Sequence, residues 1–258
     1  LSSFGFFSVS ADEEESDEFD LLIIAPSAFS EELIPLIEHK NEYNVKTILK
    51  TTEEIYEEIE GKDNAEKIKY CIKKAKDESN ITYVLLVGGR KNQLGLSEEW
   101  WVPVRYSHLI DRWGAMEKYS EESYISDLYF ADIYDSQGQF SSWDTNENGL
   151  YAEWSGNISA KDICDLYPDV FLGRLACRNK YQVRICVNKI INYEKTKADD
   201  SWFKKMVVVG GDTYTSNDDY EGENYTQRAL DNMPDFTGVK LWTSLGTFTG
   251  PLSLIREI

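Results

Sequence analysis

Apolar positions in the first ninety residues alternate between two periods. Asp20-Leu21-Leu22-Ile23-Ile24-Ala25-Pro26 is a short continuous apolar run, the pattern of a strand buried on both faces. Ser30-Glu31-Glu32-Leu33 then opens a helix, with a hydroxyl cap and early acids, that runs to about Tyr43; Leu33, Leu36, Ile37 and Lys40 are spaced for one buried face. Val45-Lys46-Thr47-Ile48-Leu49 reads as a second strand. Thr51-Thr52-Glu53-Glu54 caps a short helix, and 64–76 forms a longer one with Ile68, Cys71, Ile72 and Ala75 as its inward stripe. Tyr83-Val84-Leu85-Leu86-Val87 is the third strand, ending at Gly88-Gly89. Alternation of buried strands with amphipathic helices predicts a layered α/β domain built on a parallel sheet with right-handed crossovers. In such sheets ligands bind at the carboxyl ends of the strands.

The pattern breaks at about residues 92–164, a stretch rich in Trp, Tyr, Ser, Asp and Gly with short apolar runs only. It predicts a long, partly irregular insertion that needs something to order it. Regular structure resumes with Asp169-Val170-Phe171-Leu172-Gly173-Arg174 and a helix from about Lys180 to Lys195. Lys204 to Asp212 opens a second unit, followed by a helix over 224–233, a strand near 239–242 and a last helix over 251–258. The expected domains are therefore a tail over 1–18, a first subdomain over 19–197 carrying the insertion, and the start of a second subdomain over 198–258.

Charge narrows the partners. With 27 Lys plus Arg against 46 Asp plus Glu, the net charge of -19 repels phosphate backbones and acidic membrane surfaces. No run of eighteen apolar residues is present, so no membrane insertion is expected. Leu1 to Ala11 is apolar and small and precedes Asp12-Glu13-Glu14-Glu15. It reads either as the end of a secretory signal, placing the protein outside the cell or on its surface, or as a buried N-terminal strand or arm. Cys71, Cys164, Cys177 and Cys186 include no C-x-x-C pair, which argues against zinc and leaves buried thiols or one disulfide.

The sharpest local motif is Asp144-Thr145-Asn146-Glu147-Asn148-Gly149-Leu150, with Glu153 beyond it. Oxygen donors at alternate positions before a turn glycine are what a loop wrapping calcium requires. Asp144, Asn146, Asn148, the Leu150 carbonyl and Glu153 form the expected ligand set. The closing acid stands two residues earlier than in an EF-hand, and an Asn-Gly turn with solvated acids is the competing reading. Bound calcium would order the insertion. A second acidic group, Asp212, Asp218, Asp219, Glu221 and Glu223, is either a cation site or a solvated face. The chain has two histidines, His39 and His108, neither in a glycine-flanked strand end. None of the four cysteines is expected at the end of an apolar strand, where a nucleophile would be presented. Gly88-Gly89-Arg90-Lys91 lacks the spacing of a phosphate loop.

Several blocks together resemble the catalytic domain of the gingipain family of cysteine peptidases, which has a caspase-like fold. They are Asp20-Leu21-Leu22-Ile23-Ile24, the helix ending near His39-Lys40, 81–88, Ser126 to Asp132, and above all Tyr167-Pro168-Asp169-Val170-Phe171-Leu172-Gly173-Arg174-Leu175 followed by Ile190-Ile191-Asn192-Tyr193-Glu194. The resemblance implies a secreted, calcium-stabilised cysteine endopeptidase that cleaves protein or peptide substrates through a Cys-His dyad. It also implies that Asp169 orients the imidazole; a turn aspartate after Pro168 is the competing reading. The family's Gly-His-Gly strand end and nucleophilic cysteine belong to later segments, and neither motif occurs before Ile258. A C-terminal catalytic chain or segment is thus the expected partner, and an inactive calcium-dependent binding or adhesion module is the alternative. Arg178-Asn179-Lys180 carries no acid to pair with a basic substrate side chain, so arginine or lysine specificity is not expected to transfer.

Overall fold

The structure, a computed structural model, describes residues 18–91, 99–110, 124–155, 159–160, 162–196, 200–214 and 219–257. The tail over 1–17, parts of the insertion and Asp218 lie outside the described residues. The chain divides into two units, Leu1–Tyr193 and Glu194–Ile258.

In the first unit, β1 (Leu21–Ala25), α1 (Ser30–Glu42), β2 (Thr47–Thr51), α2 (Thr52–Glu58), α3 (Asn64–Ser79) and β3 (Tyr83–Val87) follow one another. After β3 come β4 (Arg105–Ile110), β5 (Tyr124–Ser126), α4 (Leu128–Ala131), β6 (Tyr151–Ser155) and β7 (Ser159–Ala160), then β8 (Phe171–Leu175) and α5 (Lys180–Lys195). The main sheet has the order β2-β1-β3-β8, every pair parallel. β1 is buried along its whole length because it lies between two strands and two helical layers. Leu22 and Ile24 face α3 through Ile68, Cys71 and Ile72. Leu21, Ile23 and Ala25 face α1 and α5 through Leu33, Leu36, Val183 and Val187. Period-2 alternation thus serves two cores at once.

Local chemistry sets the helix starts. Thr51 and Glu54 close a capping box on α2: the Glu54 amide donates to Thr51 Oγ1 and the Thr51 amide to Glu54 Oε2. Asp63 caps α3 by accepting from the Glu66 amide at 2.9 Å. Asn179 caps α5 by accepting from the Gln182 amide, while Gln182 Oε1 takes the Arg178 amide.

The insertion is more regular than its sequence suggests. Its strands form a second sheet of order β5-β4-β6-β7. The inward residue of β4 is Arg105, whose guanidinium pairs with both oxygens of Asp63 and stacks on Tyr129 and Tyr151. A buried cation at an inward position defeats a reading that looks for apolar periodicity.

The second unit contains α6 (Asp200–Phe203), β9 (Lys205–Gly210), α7 (Glu221–Asp231), β10 (Thr237–Trp242) and α8 (Pro251–Ile255), with β9 and β10 parallel. Glu223 holds its turn together, accepting from the Ser244 amide and hydroxyl and the Thr243 hydroxyl. Burial pushes its carboxyl up, but these donors outweigh burial and leave it below the usual range. Glu221 Oε2 faces the Thr213 amide. The described members of this acidic group thus include two whose carboxylates bond local turn atoms.

Candidate functional site

The D-x-N-x-N-G segment folds on itself. Asp144 Oδ1 accepts from the Asn148 amide at 2.9 Å and both its oxygens face the Gly149 amide. Asn146 Oδ1 takes the Asn148 amide, Asn148 Oδ1 takes the Leu150 amide, and Asn148 Nδ2 donates to Glu153 Oε2 at 2.9 Å. Gly149 sits at φ +81° and Glu147 at φ 58°, left-handed turns that coil the segment. Asp144, Asn148 and Glu153 are therefore brought together, while Asn146 joins through its side-chain oxygen and Leu150 through its own amide.

Asp162 is the residue that sequence reasoning missed. Its Oδ1 accepts from the Thr145 amide and its Oδ2 from the Glu153 amide, so it braces both ends of the loop. Asp144, Glu153 and Asp162 are only 3–4% exposed, and the ion pair to Asp144 is Lys62 Nζ at 3.5 Å. Among the described residues no three acidic, histidine or cysteine side chains form a ready metal cluster. The donor set is nonetheless all oxygen, and close burial of acids is the electrostatic condition that a hard cation relieves.

Behind this loop lies a buried lysine. Lys69 of α3 is fully buried, donates to the Ser141 carbonyl, and faces the rings of Tyr129, Phe140 and Trp143 at 4.3, 5.2 and 5.8 Å. Burial pulls its pKa down to about 7, against the opposing pull of Asp132. Asp132 accepts from Trp143 Nε1 at 2.7 Å, and burial pushes its carboxyl up.

Asp169 stands just before β8, at the amino ends of the sheet strands. Its Oδ2 accepts from the Ile133 and Tyr134 amides at 2.7 and 2.9 Å, and its own amide donates to Ala131. These bonds make Asp169 a brace for the turn that follows α4. Asp169→Ala strands two amides and is expected to cost about 2 kcal/mol in urea unfolding. A loss below about 0.5 kcal/mol would contradict the bracing role.

At the opposite end of the sheet, Arg174 of β8 gathers the exits of β3 and the insertion. It pairs with both oxygens of Asp127 at 2.7 and 2.8 Å and donates to the carbonyls of Gly88, Val102 and Pro103, each at 2.9 Å. Gly89 permits the closest approach, since a Cβ there would sit 2.3 Å from the Ala176 carbonyl oxygen. Cys177 follows two residues beyond β8, but it turns into the core instead of being presented at the strand end. The residue is only 4% exposed and burial, then Cys186, pushes its thiol up to about 12. Burial likewise raises Cys71 to about 11 and Cys164 to about 12. His39 is buried in α1 against Tyr43, and His108 lies in β4.

Comparison with known proteins gives one consistent picture. The profile of peptidase family C25 matches residues 14–251. Gingipain R2 of Porphyromonas gingivalis is 20% identical over 224 residues, covering 85% of this chain and 23% of the relative. The solved complex of Porphyromonas gingivalis RgpB pro- and mature domains aligns with a TM-score of 0.52 at 18% identity, over 92% of this chain and 44% of that one. At that identity the likeness speaks to the fold. The chain spans less than a quarter of the length of the curated relative and under half of the solved chain.

Proposed function

The chain belongs to peptidase family C25, a family of cysteine peptidases, and from that premise we propose that it is the α/β portion of a secreted, calcium-stabilised cysteine endopeptidase. Its substrates are proteins or peptides, and the reacting thiolate and imidazole come from residues outside 1–258. The carrying observation is the family match over 14–251; beside it, burial lifts the thiols of Cys71, Cys164 and Cys177, and Cys186 packs against Cys177 in the core rather than beside a histidine. His39 and His108 lie in different layers, one in α1 and one in β4. The role of this portion is to build the sheet against which the reacting groups are placed. No helix among the described residues is long and apolar enough to cross a membrane.

The test uses the full-length gene product with an alkylating peptide ketone and peptide mapping. Labelling of a cysteine outside 1–258, with loss of peptidase activity, is expected. Label on any of the four cysteines here would overturn the placement of the nucleophile. A protein with neither activity nor a fast thiol would be a binding module.

Calcium in this reading is structural, held by Asp144, Asn146, Asn148, the Leu150 carbonyl and Glu153. The support is the all-oxygen loop and its three buried acids. Saturating calcium, at about a hundredfold over Kd, is expected to stabilise the first unit by about 2.7 kcal/mol. Asp144→Ala should abolish that gain. An unchanged melting curve with calcium, or an equal gain in the variant, would sink the assignment.

A further inference from the structure

Cys177 and Cys186 bring their sulfur atoms to 3.8 Å, the contact distance of two free thiols. Both belong to the core on the α1 and α5 face of the sheet, beside Val183 and Val187. Cys71 and Cys164 pack into the core on the other face. The sheet therefore separates the four cysteines into two groups, and only one group brings two sulfurs into contact.

The backbone around this pair is held from both sides. The Cys177 amide donates to the Leu175 carbonyl and its carbonyl accepts from the Gly89 amide, both at 2.7 Å. The Asn179 cap and the Arg178 to Gln182 bond fix the start of α5 relative to that loop. Cys186 lies on the next turns of the same helix, on the face that carries Val183 and Ile190 inward. A disulfide needs the sulfurs to approach to about 2.05 Å, and side-chain rotation at the half-buried Cys186 is the movement open to them.

We propose that Cys177 and Cys186 are a disulfide-forming pair, oxidised by a small-molecule disulfide, which ties the exit of β8 to α5. The Cys186 thiolate attacks one sulfur of the oxidant, forming a mixed disulfide and releasing one small thiolate. Cys177, having lost its proton to water, attacks Cys186 Sγ and expels the second. Two protein thiols are oxidised, one small disulfide is reduced to two thiols, and the two protons end on the released thiolates. The high thiol pKa of Cys177 makes the second step the slow one. The bond would immobilise the loop holding Arg178 and Asn179 at the carboxyl end of the sheet.

The experiment incubates the folded chain with oxidised glutathione, then unfolds it in urea with iodoacetamide to block every remaining thiol, and maps the peptides. The expected product has lost two hydrogens, carries alkylated Cys71 and Cys164, and yields one cross-linked peptide joining Cys177 to Cys186. Its Tm should exceed that of the reduced protein by about 5 °C, reversibly with dithiothreitol. Cys186→Ser, and separately Cys177→Ala, should each show the same Tm before and after the oxidant, whatever their own reduced Tm. Persistent glutathione on Cys186 without ring closure, a link to Cys71 or Cys164, or four free thiols would overturn the proposal. If a variant does not fold, the wild-type peptide map decides alone.

Discussion

Arg174→Ala is expected to cost the first unit about 3–5 kcal/mol of stability. The side chain is 9% exposed and makes five hydrogen bonds, two to Asp127 and three to the carbonyls of Gly88, Val102 and Pro103. Removing it leaves a carboxylate of 28% exposure without its partner and three carbonyls without a donor. It also unties β3 from the first residues of the insertion, so the damage spreads beyond one side chain. Arg174→Lys supplies a single ammonium where a planar fork of five donors is required, and should recover less than half of the loss. Urea unfolding followed by tryptophan fluorescence measures both. A loss under about 1 kcal/mol for the alanine variant would mean that Asp127 and the carbonyls find water instead.

The second large effect is a pH dependence. In the folded chain burial holds Lys69 to about 7, whereas in the unfolded chain a lysine titrates near 10.4. Above about pH 10.4 both states are neutral and the lysine costs nothing. Between there and 7 the unfolded chain binds the extra proton, so stability falls as pH falls; below 7 both states are charged and the penalty is constant. Stability should thus rise from pH 7 upward by up to about 1.4 kcal/mol per pH unit from this residue alone. The three aromatic faces and the Ser141 carbonyl favour the ammonium and so narrow the pH window over which that slope applies. Cysteine and tyrosine titrations share the window, so the measurement is the difference between wild type and Lys69→Met in urea unfolding at pH 7, 8 and 9. Parallel curves would show that Lys69 keeps its proton when buried.

Much of the sheet could be read from residues alone because its physics is local. β1 announces itself as an unbroken apolar run because every one of its side chains enters a core. The helix expected from about Lys180 to Lys195 is α5, which runs over those residues with Val183 and Val187 turned inward. β4 stays hidden because Arg105 enters the interior paired with Asp63, a residue in another element. In the candidate loop, Asp144, Asn146 and Asn148 betray themselves by spacing. Asp162 does not, since its bonds to Thr145 and Glu153 exist only after β6 and β7 turn back.

The strand order also schedules assembly. β2, β1 and β3 with α1, α2 and α3 come from one unbroken stretch, 21–87, so three neighbouring strands can associate as soon as that stretch has left the ribosome. β8 pairs Leu175 with Val87 only after the insertion and its own sheet have been synthesised. Until then the open edge of β3 and the faces meant for α5 wait uncovered, the condition that invites off-pathway association. Refolding from denaturant should accordingly show an early compact phase from the first three strands and a later one when the fourth strand docks.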